Sequence, residues 1–282
     1  MNNTYINIHL NCPSEIKEIL MAEISEFNIL GIIENENDLE VSFNKDEWEN
    51  SIKTEFIDLI NKYENTEIIS EKLIEERNWN EEWEKDVPAI HINNNVGIAP
   101  KWKLNELTEK YKIEINPKMS FGTGSHATTR LMCDMMSELD FNDKTVIDAG
   151  TGTGVLAIYS IMLGASRVLA FDNNEWSVQN SKENFEINNT SSQIDLQLLE
   201  LDELDSLPPC HILLANILAP VIKRNMKKFT DAIADSNGVM LLSGILSEEK
   251  ESIIETANDN GLVLVSYKEE DEWAGFLFER KK

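Results

Sequence analysis

The residues best suited to chemistry fall into three short runs. The first is Asp148-Ala149-Gly150-Thr151-Gly152-Thr153-Gly154, preceded by the apolar stretch 145–148 and followed by a helical apolar stretch, 154–163. Glycine lacks a Cβ, so such a turn lets backbone groups come close to a ligand. Glycines alone mark many turns, but three features narrow this one. The spacing is G-x-G-x-G, and Gly154 falls one residue too early for the G-x-G-x-x-G of dinucleotide binders. Asp148 puts a carboxylate inside the strand that feeds the turn. Asp172 ends the next apolar stretch, 167–172, at the distance where a carboxylate accepts hydrogen bonds from both hydroxyls of a ribose. Its plainer reading is a helix cap, a task that Asn173 or Asn174 can perform as well.

The second run, Ser120-Phe121-Gly122-Thr123-Gly124-Ser125-His126-Ala127-Thr128-Thr129, sets two glycines among several hydroxyl residues. A polar loop of this kind can close over a ligand, and Thr128 or Thr129 can cap the helix behind it, expected around 131–139. Taken alone it is an ordinary capping loop, and His126 a structural hydrogen-bonder. The third run, Leu213-Leu214-Ala215-Asn216-Ile217-Leu218-Ala219-Pro220, places Asn216 directly after a buried strand. That is the carboxyl edge where open α/β sheets bind ligands. The Asn amide oxygen can accept a hydrogen bond from an attacking amine; in isolation, Asn there is equally a turn former.

Holding these runs in place requires alternating strands and helices. Over 119–282 the pattern predicts strands at 145–148, 167–172, 195–199, 212–215, 239–242, 262–267 and 274–278, the last two as an antiparallel pair. Helices are expected between them, at 154–163, 177–188, 220–234 and 247–260. This order gives an α/β, Rossmann-like domain with a mostly parallel seven-stranded sheet and helices on both faces. Residues 1–75 predict a separate small α+β domain in the order β-α-β-β-α-β, a ferredoxin-like unit. Ile16, Ile19, Leu20 and Ile24 mark the inner face of its first helix, and Trp48, Ile52, Phe56, Leu59 and Ile60 that of its second. Residues 76–118 read as a linker and N-terminal cap of the catalytic domain. They carry a helical turn at 78–83 with Trp79 and Trp83, and short strands at 89–92, 96–99 and 112–115.

The chain has 282 residues, of which 51 are acidic and 25 basic, for a net charge of −26. A field of this sign repels a phosphate backbone, so direct binding to nucleic acid is not expected and a basic protein is the better partner. Surface acidity also serves plain solubility. Acidic density peaks in residues 1–75, with 17 acidic against 5 basic. Cys12, Cys133 and Cys210 are far apart and form no CxxC pair, and the four histidines are scattered. That argues against a disulfide framework or a zinc site and for a reducing compartment. No basic segment followed by an apolar run opens the sequence, and no apolar stretch nears the ~20 residues of a membrane span. A cytoplasmic monomer without membrane contact is expected.

The glycine-rich turn together with Asp172 resembles the class I S-adenosylmethionine methyltransferases. In them the turn packs against the methionine part of the cofactor, and the acid after the second strand holds the ribose. All three runs, in this order and spacing, resemble the bacterial methyltransferases that modify large-subunit ribosomal protein eleven. The resemblance extends to Trp79 and Trp83, to 97–102 and to Leu242-Ser243-Gly244-Ile245-Leu246, and so covers about 77–280; residues 1–75 match in element order and length. It implies S-adenosyl-L-methionine as cofactor, with contacts from Thr129, Gly150, Asp172 and Asn216 and with Gly152, Gly154 and Phe121 as neighbours. It assigns residues 1–75 the grip on the substrate protein. Thr151 stands where many relatives carry Cys, a position of which no chemistry is expected.

The implied reaction methylates lysine side chains of that basic ribosomal protein, with its N-terminal amine as a further target, by direct in-line displacement. Asn216 is the catalytic residue implied, orienting the amine with backbone carbonyls near Ile217 and Leu218. A lysine amine, with a reference pKa of ~10.4, must first lose a proton. Exclusion from water beside a positive sulfonium favours its neutral form. Other readings stay open. Nucleic-acid amino methyltransferases share the Asn but follow it with an aromatic that stacks on a flipped base, where this chain has Ile217-Leu218-Ala219. Another basic protein, a small amine, or a non-catalytic binding module fits the same residues.

Overall fold

The computed structural model describes residues 4–35, 38–75, 87–118, 120–233 and 238–281. The expected turn at 78–83, with Trp79 and Trp83, lies outside these. The chain divides into two compact units, Met1–Trp79 and Asn80–Lys282.

In the first unit, alternate apolar residues set the strands and an apolar stripe sets each helix. The elements are β1 (Thr4–Asn11), α1 (Lys17–Ile24), β2 (Gly31–Glu34), β3 (Asp38–Asn44), α2 (Asn50–Ile60) and β4 (Glu67–Glu75). The sheet runs β2-β3-β1-β4 with every neighbour antiparallel, which is the ferredoxin-like interleaving of two β-α-β units. Ile6, Ile8 and Leu10 on β1 and Leu39, Val41 and Phe43 on β3 point inward by the period of two. Phe56 of α2 closes on Phe43 edge-on, ring centroids 5.1 Å apart. One expectation fails here. Ile19 is 55% exposed, because it lies about 100° round the helix from Leu20. Lys17 takes the inward place instead, burying its stem and donating from Nζ to Asn35 O.

The second unit opens with a three-stranded sheet, β5 (Ile90–His91), β6 (Val96–Pro100) and β7 (Tyr111–Ile115), in that order. Then follow α3 (Ala127–Met136), β8 (Thr145–Ala149), α4 (Val155–Met162), β9 (Arg167–Asp172), α5 (Glu175–Ile187), β10 (Ile194–Leu198), β11 (Ile212–Asn216), α6 (Ala219–Ala232), β12 (Val239–Leu246), α7 (Lys250–Asp259), β13 (Leu262–Glu270) and β14 (Trp273–Arg280). The seven strands β8–β14 form one sheet in the order β10-β9-β8-β11-β12-β14-β13. β10, β9, β8, β11 and β12 pair parallel, and β14 runs antiparallel to both its neighbours. The expected closing pair is therefore present, as is the mostly parallel sheet.

Both faces of this sheet are covered, so its strands read as continuous apolar runs. Val146, Leu214 and Leu241 join one core with Met132, Ile158 and Tyr159; Ile147, Leu213 and Leu242 join the other with Ile222, Phe229 and Ile253. Val96, Ile98, Ile113 and Ile115 of the small sheet belong to the first of these cores. Among the described residues, strand β7 has no partner strand beyond β6. Along its far side α5 and the residue that caps its C-terminus set three asparagines at helical spacing. Asn188 bonds both the N–H (3.1 Å) and the C=O (2.6 Å) of Glu114, Asn184 accepts from Asn116 N (2.8 Å), and Asn180 donates to Asn116 O (3.1 Å). The order of the large sheet reverses between β8 and β11, and a crevice opens at the carboxyl ends of strands at such a point.

Candidate active site

At that reversal β8 delivers the chain into the glycine-rich turn. Gly150, Gly152 and Gly154 all have positive φ, at 74°, 55° and 82°, a region that L side chains enter only at a cost. The turn is anchored across the sheet: the N–H groups of Gly150 and Thr151 each donate to Phe171 O at 2.9 Å. Asp172, at the end of β9, accepts from Gly152 N at 2.9 Å and from Asn174 N at 3.0 Å. The helix cap itself is Asn174, whose side chain accepts from Trp176 N and Ser177 N. That leaves the Asp172 carboxylate facing the crevice.

The segment 120–126 lies over the turn. Phe121 is half exposed, and its ring leans on His126 (5.0 Å), which contacts Trp273 edge-on (4.8 Å). His126 caps α3: its Nδ1 accepts from Thr128 N at 3.3 Å and lies 2.8 Å from Thr128 Oγ1. Burial and the nearby Arg130 guanidinium hold the imidazole below its ordinary pKa, so it is neutral at pH 7. Arg130 fastens the far end of the segment, bonding the carbonyls of Ser125 and Gly124 while pairing with Glu270 of β13.

Asn216 ends β11, 9% exposed, and its Oδ1 is buried with no hydrogen-bond partner among the described residues. Ile217 beyond it is clamped between two bare backbones. A Cβ on Gly150 would lie 2.3 Å from Ile217 Cγ2, and one on Gly244 of β12 would lie 2.4 Å from Ile217 O. These contacts fix the direction in which Asn216 and Leu218, the latter 68% exposed, face.

Together these parts enclose a cleft of about 710 Å³. Of the residues expected at the site, Phe121, Gly150, Gly152, Asp172 and Asn216 line it. Thr129 and Gly154 lie behind the wall. Thr129 is buried, its hydroxyl without a hydrogen-bond partner among the described residues, and Gly154 packs under the ring of Phe185. The wall also holds residues that the sequence did not single out for the site. Trp273 opens β14, Gly244 comes from β12, and Phe171, Leu199 and Leu201 supply apolar surface. Glu200, Asp202 and Glu203 add acidic groups at that end. Among the described residues no group of three or more His, Cys, Asp or Glu could hold a metal ion. No helix among them is long and apolar enough to cross a membrane.

Asp148 sits beneath the turn, fully buried, accepting from Thr151 Oγ1 at 2.7 Å. Burial pushes its pKa up to about 7, with Asp172 adding to the effect and the Thr151 hydroxyl opposing it. The folded chain therefore keeps a proton that the unfolded chain releases near pH ~3.9. Stability falls as pH rises from there to about 7, by up to ~1.4 kcal/mol per pH unit, and is flat above. Asp148→Asn keeps the bond from Thr151 and buries no charge. It should gain stability over the wild type in urea melts at pH 8 and lose that advantage at pH 4; an offset identical at both pH values would contradict this.

A sheet of order 3-2-1-4-5-7-6, counted over its own strands, with a glycine turn after the first and an acid ending the second, defines a class I S-adenosylmethionine-dependent methyltransferase. The family model described as Ribosomal protein L11 methyltransferase (PrmA) matches residues 5–281, and the chain belongs to that family. It is 34% identical to the ribosomal protein L11 methyltransferase of Chlorobaculum parvum, over 99% of this chain and 98% of that one. It is 32% identical to the protein of the same name from Bacteroides thetaiotaomicron, over 95% of each. Among solved structures, ribosomal protein L11 methylase from Lactobacillus delbrueckii subsp. bulgaricus matches with a TM-score of 0.62 at 27% identity, covering 70% of this chain and all of that one.

Proposed function

We propose that this chain methylates amino groups of ribosomal protein L11, lysine side chains foremost, with S-adenosylmethionine held in the cleft beside Asn216. One observation carries the reading: an amide oxygen with no partner, Asn216 Oδ1, stands on the same cleft wall as the Asp172 carboxylate and the bare backbone of Gly150 and Gly152. The residues present fit the cofactor. Asp172 suits the two ribose hydroxyls, and Phe171, Leu199 and Leu201 suit a flat base. Gly150 and Gly152 present backbone to the methionine part, beside Phe121, with the buried Thr129 hydroxyl behind. Gly154 supports the turn from below.

When bound, the cofactor supplies an electrophilic sulfonium methyl, and the protein's task is alignment. Asn216 Oδ1 accepts a hydrogen bond from the incoming amine and aims its lone pair, with the carbonyls of Ile217 and Leu218 beside it. Phe121, His126 and Trp273 wall the approach with aromatic surface and keep water out, which favours the uncharged amine. The neutral His126 adds no positive charge there. The net charge of −26 favours a basic protein partner, with the acidic first unit as its grip. The chain works as a cytoplasmic monomer. Absence of an aromatic after Asn216 speaks against a flipped nucleobase as substrate.

The test is incubation with labelled cofactor and large-subunit ribosomal proteins, followed by mass spectrometry. Methylated L11 is expected; label on other proteins and none on L11 would overturn the substrate assignment. In the same preparation, Asp172→Ala should weaken cofactor binding by ~1–3 kcal/mol, the worth of a charged hydrogen-bond pair. An unchanged dissociation constant by calorimetry would remove the ribose role from Asp172.

A further inference from the structure

Segment 120–126 is joined to the glycine-rich turn through Thr153, which lies outside the cleft wall. Thr153 donates its backbone N–H to Phe121 O (2.9 Å) and its hydroxyl to Gly122 O (2.7 Å), and its carbonyl accepts from Asn184 Nδ2 (2.8 Å). Thr153 and Asn184 are fully buried. The contact is close on both sides of these bonds. A Cβ on Gly152 would lie 2.3 Å from Phe121 O, and one on Gly122 would lie 2.7 Å from Thr153 Oγ1. Asn184 is itself immobilised by accepting from Asn116 N at 2.8 Å. One amide therefore grips both the backbone that leads into the segment and the turn on which the segment rests.

We propose that Thr153, backed by Asn184, is a positioning residue that locks Phe121 and the Gly150–Gly152 backbone into one frame, so that the cofactor half of the cleft is preformed rather than assembled on binding. The proposal rests on the reading that S-adenosylmethionine binds in this cleft. Preorganisation of this kind lowers the ordering cost of binding and so acts on cofactor affinity more than on turnover. Thr153→Val keeps both backbone bonds, and replaces the hydroxyl bond to Gly122 O (2.7 Å) with a methyl that must draw back from that oxygen. Thr153→Ser keeps that bond.

The experiment compares the full-length wild type with both variants in three readouts: cofactor dissociation constant by calorimetry, KM against kcat for cofactor, and amide hydrogen exchange at 120–125 without ligand. For Thr153→Val, KM and Kd for cofactor should rise about tenfold, the worth of one buried hydrogen bond, while kcat at saturating cofactor stays near the wild-type value. Exchange at 120–125 should quicken, with the rest of the chain unchanged. Thr153→Ser should restore all three. Wild-type cofactor affinity in the Val variant would overturn the proposal. So would loss in the Ser variant of equal size, or a loss that follows a lowered melting temperature with no local change in exchange. Failure of the wild type itself to bind the cofactor would sink the cofactor reading instead; the exchange data, taken without ligand, would still report on the lock.

Discussion

Asn216→Ala is expected to cut turnover about 100-fold at saturating cofactor and protein substrate, the usual cost of losing alignment between reacting centres. Three observations make Asn216 the residue whose loss is felt most. Its Oδ1 is buried without a partner, an arrangement that costs free energy unless a ligand completes it. It ends β11 at the strand-order reversal, beside the turn that follows β8. Its successor Ile217 is wedged between Gly150 and Gly244, so the amide is held by the sheet on both sides. Asn216→Asp adds a sharper test. The carboxylate still accepts a hydrogen bond, but its charge holds the amine protonated. That variant should be slow at neutral pH and gain with rising pH more steeply than the wild type. Wild-type turnover in the alanine variant would end the case for Asn216.

The second large effect is expected from Gly152→Ala, as at least a 100-fold loss of cofactor affinity. The residue has φ of 55°, which costs an L residue ~1–2 kcal/mol. The greater difficulty is steric. The new Cβ would lie 2.3 Å from Phe121 O, a backbone atom already held by Thr153 N. Either segment 120–122 lifts away or the turn sinks, and the bond from Gly152 N to Asp172 Oδ2 is then displaced as well. Wall, turn and acid all shift together. Calorimetry checks the affinity and a thermal melt the modest loss of stability; a dissociation constant within a few-fold of the wild type would show that the frame yields more easily than its geometry implies.

How much of this was legible in the sequence depends on the range over which each feature is encoded. The turn and Asp172 were legible because glycine spacing and the end of an apolar run are local. The strands of the large sheet were legible because burial on both faces leaves uninterrupted apolar runs. Helix phase was harder to read. α3 was expected from about 131 but begins at Ala127, and the phase of its first turn puts Thr128 on the cleft wall and buries Thr129 beneath it. The apolar stripe places Ile19 on the inner face of α1 and fails there for the same reason. Trp273 and Gly244 were out of reach for a different one. Their place follows from long-range pairing: β12 with β11 brings Gly244 to the cleft, and β14 with β12 brings Trp273. The role of Thr153 is not local either, since its bonds go to residues that are neighbours only after folding.

The row of asparagines on α5 has a consequence for behaviour in solution. A strand with one free side is a template onto which another chain can dock, and crowded or partly unfolded copies can recruit one another there. On β7 that side is already occupied, because Asn180, Asn184 and Asn188 engage the outward backbone groups of Glu114 and Asn116 as a neighbouring strand would. A helix thus does the work of an extra strand while offering no further edge of its own. Removing Asn188 would leave the Glu114 peptide groups open to a second molecule, so the first sign of its loss should be self-association during expression or refolding, ahead of any loss of catalysis.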